Sequence, residues 1–299
     1  MIGQTEGGRV QAFLVALDRS ELARTALVAA QELSSRVPAD VYILSVVARP
    51  DQVGDIEAEL TALPLPDRIA DIAVVIGDAP ARVINQTLHD LGPAALCMAT
   101  RARGLRPFGL GSMAYEALAG GAAPVILVGP SLGYPEGIPW ADDPIPLEKL
   151  RGGGVVVCVD GGERSASLAA TARPWARRLS EPLIVLTVAE PDAPLLGDEL
   201  PDRAYGPPGN VNAFLDRLAA PLRGEDVVVK SRAVFDPVGP AEGIRSYLQK
   251  SPAVLLVVGC RLRRGRLRPP GARTAAAILG RCPSPVLVVP QPESGQQAG

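Results

Sequence analysis

Two hydrophobic patterns alternate along most of this chain. Ala12-Phe-Leu-Val-Ala-Leu-Asp18 is a short apolar run closed by an acid, and it predicts a buried strand. Ser20 then caps a helical pattern in which Leu22, Ala26, Leu27, Ala30 and Leu33 recur mostly three or four residues apart. A second strand is predicted at Val41–Val47. After a loop and a short amphipathic stretch come a strand at Ile72–Ile76, a helix from about Ala81 to Leu91 and a strand at Ala94–Ala99. A basic loop, a helix opening near Gly111-Ser112 and a strand at Val125–Val128 close this half.

The second half repeats the plan. Val155-Val-Val-Cys-Val-Asp160 matches the opening strand and its acid, at an offset of 142 residues. Leu183–Val188 reads as an unbroken strand. Beyond it the offset settles at 160, which pairs Pro80 with Pro240, Ile84 with Ile244, Ala99 with Gly259, Gly111 with Gly271 and Pro130 with Pro290. The 18-residue growth falls between the second and third strands, where a fuller helix is expected from about Val211 to Leu222. A repeat that keeps its offset on either side of one insertion indicates two copies of one unit. Strands that are apolar throughout, alternating with helices, are those of a parallel sheet covered on both faces. The expected fold is therefore α/β, two tandem doubly wound parallel-sheet domains of five strands each. Residues 9–130 would form the first and 153–290 the second, joined by a proline-rich linker at 131–152 and followed by a flexible tail at 291–299.

Composition narrows the function. Thirty basic and thirty-two acidic side chains leave a net charge of −2, which argues against a general nucleic-acid binder. No apolar run reaches the roughly 18–20 residues of a membrane span, and the first residues lack a signal-peptide pattern. The expectation is a cytoplasmic protein with reduced thiols. The four cysteines, Cys97, Cys158, Cys260 and Cys282, have no C-x-x-C spacing, and His89 is the single histidine. That excludes most zinc sites and leaves His89 as the one imidazole a Ser-His-Asp triad could use; a solvated helix face is the simpler reading of it. Cys97 and Cys158 read as small core residues. A Walker loop is missing, and neither Asp18-Arg-Ser-Glu-Leu nor Asp160-Gly-Gly-Glu-Arg-Ser supplies the G-x-G-x-x-G of a dehydrogenase. No catalytic role is expected.

Ligands of such sheets bind at the carboxyl ends of the strands, where strand order reverses. Asp18 or Asp160, the exit of the second strand at Val46 or Val188, and the loop after the fourth strand collect there in each half. Leu14-Val-Ala-Leu-Asp-Arg-Ser20, Met98-Ala-Thr-Arg101, Gly111-Ser112 and Pro124-Val-Ile-Leu-Val resemble the start and end of a universal stress protein, and the whole chain resembles the tandem form of that family. The resemblance implies an adenine nucleotide alpha-hydrolase-like fold, pairing of the two closing strands, and a nucleotide-binding regulator of the stress response. In nucleotide-binding members a G-x-x-G-x(9)-G-[ST] loop holds the phosphates, while the acid and the valine hold adenosine. Carried over, the contacts are Asp18, Val46, Gly111, Ser112 and Met113. Ala99 and Ala102 stand in place of the two leading glycines, and eight residues separate Ala102 from Gly111. In the second half the corresponding positions are Asp160, Val188, Gly259 and Gly271, with Leu262 and Ala272 replacing a glycine and the hydroxyl residue.

The first half is thus the better candidate for ATP or AMP, with or without Mg, bound weakly or in that half alone. Asp18, Asp160 and Ser112 also suit a plain capping role. Arg101, Arg103 and Arg106 crowd the first loop and Arg261, Arg263, Arg264, Arg266 and Arg268 the second, where guanidinium groups can grip a phosphate. The competing explanation, favoured for the second loop, is arginine drift in a GC-rich gene or salt bridges between the halves. The expected partners are an adenine nucleotide, a regulatory protein and a second copy in a homodimer, without nucleic acid or membrane. The rival is a scaffold that has lost the nucleotide and works through protein contacts.

Overall fold

The computed structural model describes residues 10–63, 68–100, 112–121, 123–129, 153–162, 164–189, 211–261, 277–279 and 282–291. In the first half, strands β1 (Ala12–Ala16), β2 (Asp40–Val47), β3 (Ile69–Ile76), β4 (Ala94–Ala99) and β5 (Val125–Val128) alternate with helices. These are α1 (Glu21–Arg36), α2 (Val53–Thr61), α3 (Pro80–Leu91) and α4 (Ser112–Gly120). The second half supplies strands β6 (Val155–Cys158), β7 (Leu183–Ala189), β8 (Val229–Phe235), β9 (Leu255–Arg261) and β10 (Val286–Gln291). Its helices are α5 (Ser165–Arg178), α6 (Val211–Ala219) and α7 (Pro240–Lys250).

All ten strands join one sheet in the order β3-β2-β1-β4-β5-β10-β9-β6-β7-β8. Each half carries the doubly wound order 3-2-1-4-5, parallel throughout, with its reversal between β1 and β4 or between β6 and β9. Among the described strands the one antiparallel pair is at the centre, where Val286, Leu287 and Val288 pair with Leu127, Ile126 and Val125. The two closing strands therefore join the halves as the resemblance implies, and both are spared a solvent edge.

The period-two alternation of Phe13, Leu14 and Val15 sends side chains to opposite faces of the sheet. Phe13, Val15, Ile126, Val157, Val257 and Leu287 pack under α1, α2, α5 and α6. Leu14, Leu96, Leu127, Leu186, Leu256 and Val286 pack under α3, α4 and α7. Both cores run through the central β5–β10 pair into both halves. Each fully buried Leu, Ile or Phe stabilises the fold by about 1.5–3 kcal/mol.

Two features depart from the sequence reading. The amphipathic stretch after β2 is a nine-residue helix, as is α6, so the extra length of the second half is not a longer helix. Val211–Leu222 is α6 followed by a 3-10 turn at Ala220–Leu222, because Pro221 has no N–H to continue the helical ladder. The insertion instead falls on residues 190–210, outside the described residues.

Candidate functional site

The acid turns are built by the helices that follow them. The Asp18 Oδ1 accepts hydrogen bonds from Ser20 N at 2.8 Å and from Ser20 Oγ. Ser20 Oγ in turn accepts from Ala23 N at 3.3 Å and caps α1. One carboxylate oxygen is thus committed to holding the turn, on an exposed side chain at the end of β1. Capping and ligand contact are compatible readings of Asp18, since among the described residues its turn hydrogen bonds use Oδ1 alone.

In the second half Asp160 Oδ1 accepts from Gly162 N at 2.9 Å and Ser165 Oγ at 3.4 Å. Gly161 sits at φ +80°, which lets the chain turn tightly after β6. The turn is braced from behind, where the Thr187 hydroxyl donates to the Val159 carbonyl at 2.9 Å.

Val46 lies near the carboxyl end of β2, half-buried, opposite Val75. A methyl group placed on Gly77 would meet Val83 Cγ2 at 3.0 Å and Val46 Cγ1 at 3.4 Å. Gly77, Val46 and Val83 thus form one apolar corner between β2 and the first turn of α3. In the second half the corner differs: Gly243 takes the place of Val83, and a methyl on it would meet Val188 Cγ1 at 2.7 Å. There α7 lies against Val188 with no room for a side chain. Asp236 fixes this approach by accepting from Val238 N at 2.8 Å and Gly239 N at 3.2 Å. The repeat offset already paired Val83 with Gly243, so this contrast was present in the sequence as a valine set against a glycine.

Ala99 ends β4 opposite Val128, and Thr100 N donates to Val128 O at 2.9 Å. Gly259 holds the matching place in β9, opposite Val289. Ser112 begins α4, and Met113 in its first turn is half-buried against the core that also holds Val46. Asp18, Val46, Ala99 and the start of α4 therefore collect at one edge of the sheet, at the switch point between β1 and β4. Arg101, Ala102 and Gly111 in the first loop, and Gly271 with Arg263, Arg264, Arg266 and Arg268 in the second, lie outside the described residues. The free N–H groups at a helix start favour an anion.

Other reactive groups lie apart from this edge. His89 is exposed in the last turn of α3. Burial raises the thiol pKa of Cys97, Cys158 and Cys260, and pushes Cys282 from 9.0 up to about 12 despite its hydrogen bonds with Ser284. Cys97 and Cys158 face the core, as their apolar neighbours imply. Among the described residues no group of three or more His, Cys, Asp or Glu side chains could hold a metal, and no helix is long and apolar enough to cross a membrane.

Strand order, switch point and acid turns define a protein of the doubly wound α/β class with an acid turn at the switch point of each half. Residues 154–290 match the universal stress protein family, so the second half is a domain of that family. The first half repeats its strand order. A universal stress protein from Archaeoglobus fulgidus is 16% identical over 94% of this chain and 98% of its own, with a TM-score of 0.61. A functionally unknown protein from Pseudomonas aeruginosa is 18% identical over 96% of this chain and 95% of its own, with a TM-score of 0.54. A second Archaeoglobus fulgidus universal stress protein, solved in complex with dAMP, covers 45% of this chain and 95% of its own at 18% identity, with a TM-score of 0.33. A search of curated proteins returns no match. The full-length likenesses establish the tandem fold.

Proposed function

We propose that this chain is a regulator that binds an adenine nucleotide, ATP or AMP, at the switch point of its first half. The observation that carries the reading is the convergence of Asp18, Val46, Ala99 and the N-terminus of α4 at one sheet edge. Asp18 would take the ribose hydroxyls, and the half-buried Val46 and Met113 would cover the base. The start of α4 at Ser112, with Gly111 and Arg101, would hold phosphate. Asp160, Val188, Gly259 and Gly271 would form the weaker counterpart, since α7 closes on Val188 there. The division at 9–130 and 153–290 belongs to the same reading, as does a homodimer of the tandem chain.

Regulation rather than catalysis is supported by the state of the reactive groups. Burial raises the pKa of the described thiols, and His89 lies on an exposed helix turn. A second reading, a scaffold acting through protein contacts, draws on exposed apolar residues at the rim of the second half. Phe235 is 67% and Val238 80% exposed. Calorimetric titration with Mg–ATP separates the two. Binding that disappears in Asp18→Ala supports the nucleotide reading. No binding heat at millimolar nucleotide removes it and leaves the scaffold.

A further inference from the structure

The last turns of α1 and α5 each reach across the centre of the molecule. Arg36 Nε donates to Glu32 Oε1 at 2.8 Å, and its Nη1 forms an ion pair with Glu181, which belongs to the second half. The three side chains are largely buried, at 19%, 7% and 17% exposure for Arg36, Glu32 and Glu181. At the repeat offset of 142 the equivalent of Arg36 is Arg178, whose Nη1 donates to Val10 O in the first half at 3.3 Å. The equivalent of Glu32 is Pro174.

The turn that presents Glu181 is itself unusual. Ser180 has φ +54°, alone among the described non-glycine residues in the left-handed region. Glu181 N donates to Ala176 O at 2.9 Å, which folds the turn back over the end of α5. A left-handed residue other than glycine or asparagine is uncommon. The surrounding contacts hold this one where its neighbour meets Arg36.

These contacts connect the two acid turns in a crossed pattern. α1 starts at the Asp18 turn and ends on Glu181, two residues before β7, whose far end carries Val188. α5 starts at the Asp160 turn and ends on Val10, two residues before β1, whose far end leads to Asp18. The helices have 16 and 14 residues, so each spans more than about 20 Å at about 1.5 Å per residue. We propose that Arg36 and Arg178 are crossed latches that couple the ligand edges of the two halves. A change at the Asp18 turn shifts α1 and, through Arg36 and Glu181, the entry of β7. Because such coupling is reciprocal, a change at the Asp160 turn returns through Arg178 and Val10.

The test is amide hydrogen exchange on the full chain, with and without Mg–ATP, in wild type, Asp18→Ala, Arg36→Met and the double variant. Asp18→Ala frees the start of α1 without any ligand. It is expected to speed exchange at residues 183–186 at least about fivefold, the lower end of ordinary coupling between sites. The same change in the Arg36→Met background is expected to leave those residues unaffected. Exchange at 183–186 that ignores Asp18→Ala, or that responds equally without Arg36, overturns the coupling. The nucleotide arm rests on the function proposed above. Slowing by Mg–ATP at residues 18–23 and also at 183–186 supports both ideas, and slowing at 18–23 alone overturns the coupling only. No slowing at 18–23 counts against nucleotide binding, while the Asp18→Ala comparison still decides the coupling.

Discussion

At the scale of single residues the fold is held by close approaches that tolerate little change. A methyl on Gly129 would lie 1.7 Å from the Leu279 carbonyl oxygen, a backbone atom that cannot swing aside. Gly129→Ala is expected to destabilise by about 2–3 kcal/mol or more, measured by urea unfolding. Gly54, in the first turn of α2, has nothing within 4 Å, and Gly54→Ala is expected to stabilise by up to about 1 kcal/mol. Removal of the α1 cap by Ser20→Ala is expected to cost about 1 kcal/mol.

The buried thiols set a pH dependence. Their folded pKa values are raised, so the folded state keeps its protons while the unfolded state releases them above pH 9. The stability they contribute is complete below pH 9 and is lost as the pH climbs toward 12. Cys282 alone is expected to account for about 1 kcal/mol of loss near pH 10. Cys282→Ser, which replaces the titrating thiol by a hydroxyl, should remove that part of the decline in urea unfolding followed from pH 8 to 10.

At the scale of elements, the cap at Ser20, the apolar runs of β1 and β4 and the helix from about Ala81 to Leu91 were legible in the sequence. A hydroxyl before an apolar period carries local physical meaning. Asp18 and Asp160 could be placed at strand ends with a capping role in view, and their hydrogen bonds from Ser20 and Gly162 are of that kind. The contrast between Val46 with Val83 and Val188 with Gly243 was present as a valine facing a glycine in the repeat. Its effect, α7 lying against Val188 with no room for a side chain, depends on packing between distant segments. The equal lengths of α2 and α6 were misjudged because α2 is short and marked by only two buried side chains, Ile56 and Leu60. Leu127 belongs to β5 and is fully buried in one of the two shared cores. Leu127→Ala is expected to cost about 2–5 kcal/mol in urea unfolding, because the cavity lies at the junction where neither half can collapse alone.

For the whole molecule, the arithmetic of the repeat predicted two units, and the structure fuses them into one slab. Ten strands share one sheet, and each core continues across its centre. The antiparallel closing pair followed from the family resemblance, whereas the arginine latches had no sequence signature, since Arg36 and Glu181 are 145 residues apart. Shared cores make independent melting of the halves costly, so thermal unfolding is expected to show one calorimetric transition. Arg36→Ala leaves Glu32 and Glu181 without their shared cation and is expected to lower stability by about 3 kcal/mol. Two resolved transitions in the native chain would mean that the halves unfold separately.

The central claim is that the first half alone forms a competent nucleotide edge. It is tested most directly by denaturing freshly purified protein, identifying released small molecules by mass spectrometry, and titrating emptied protein with Mg–ATP in the calorimeter. The expected result is an adenine nucleotide at no more than one equivalent per chain, with binding lost in Asp18→Ala and kept in Asp160→Ala. Two equivalents, loss in Asp160→Ala alone, or no binding at millimolar nucleotide would contradict it.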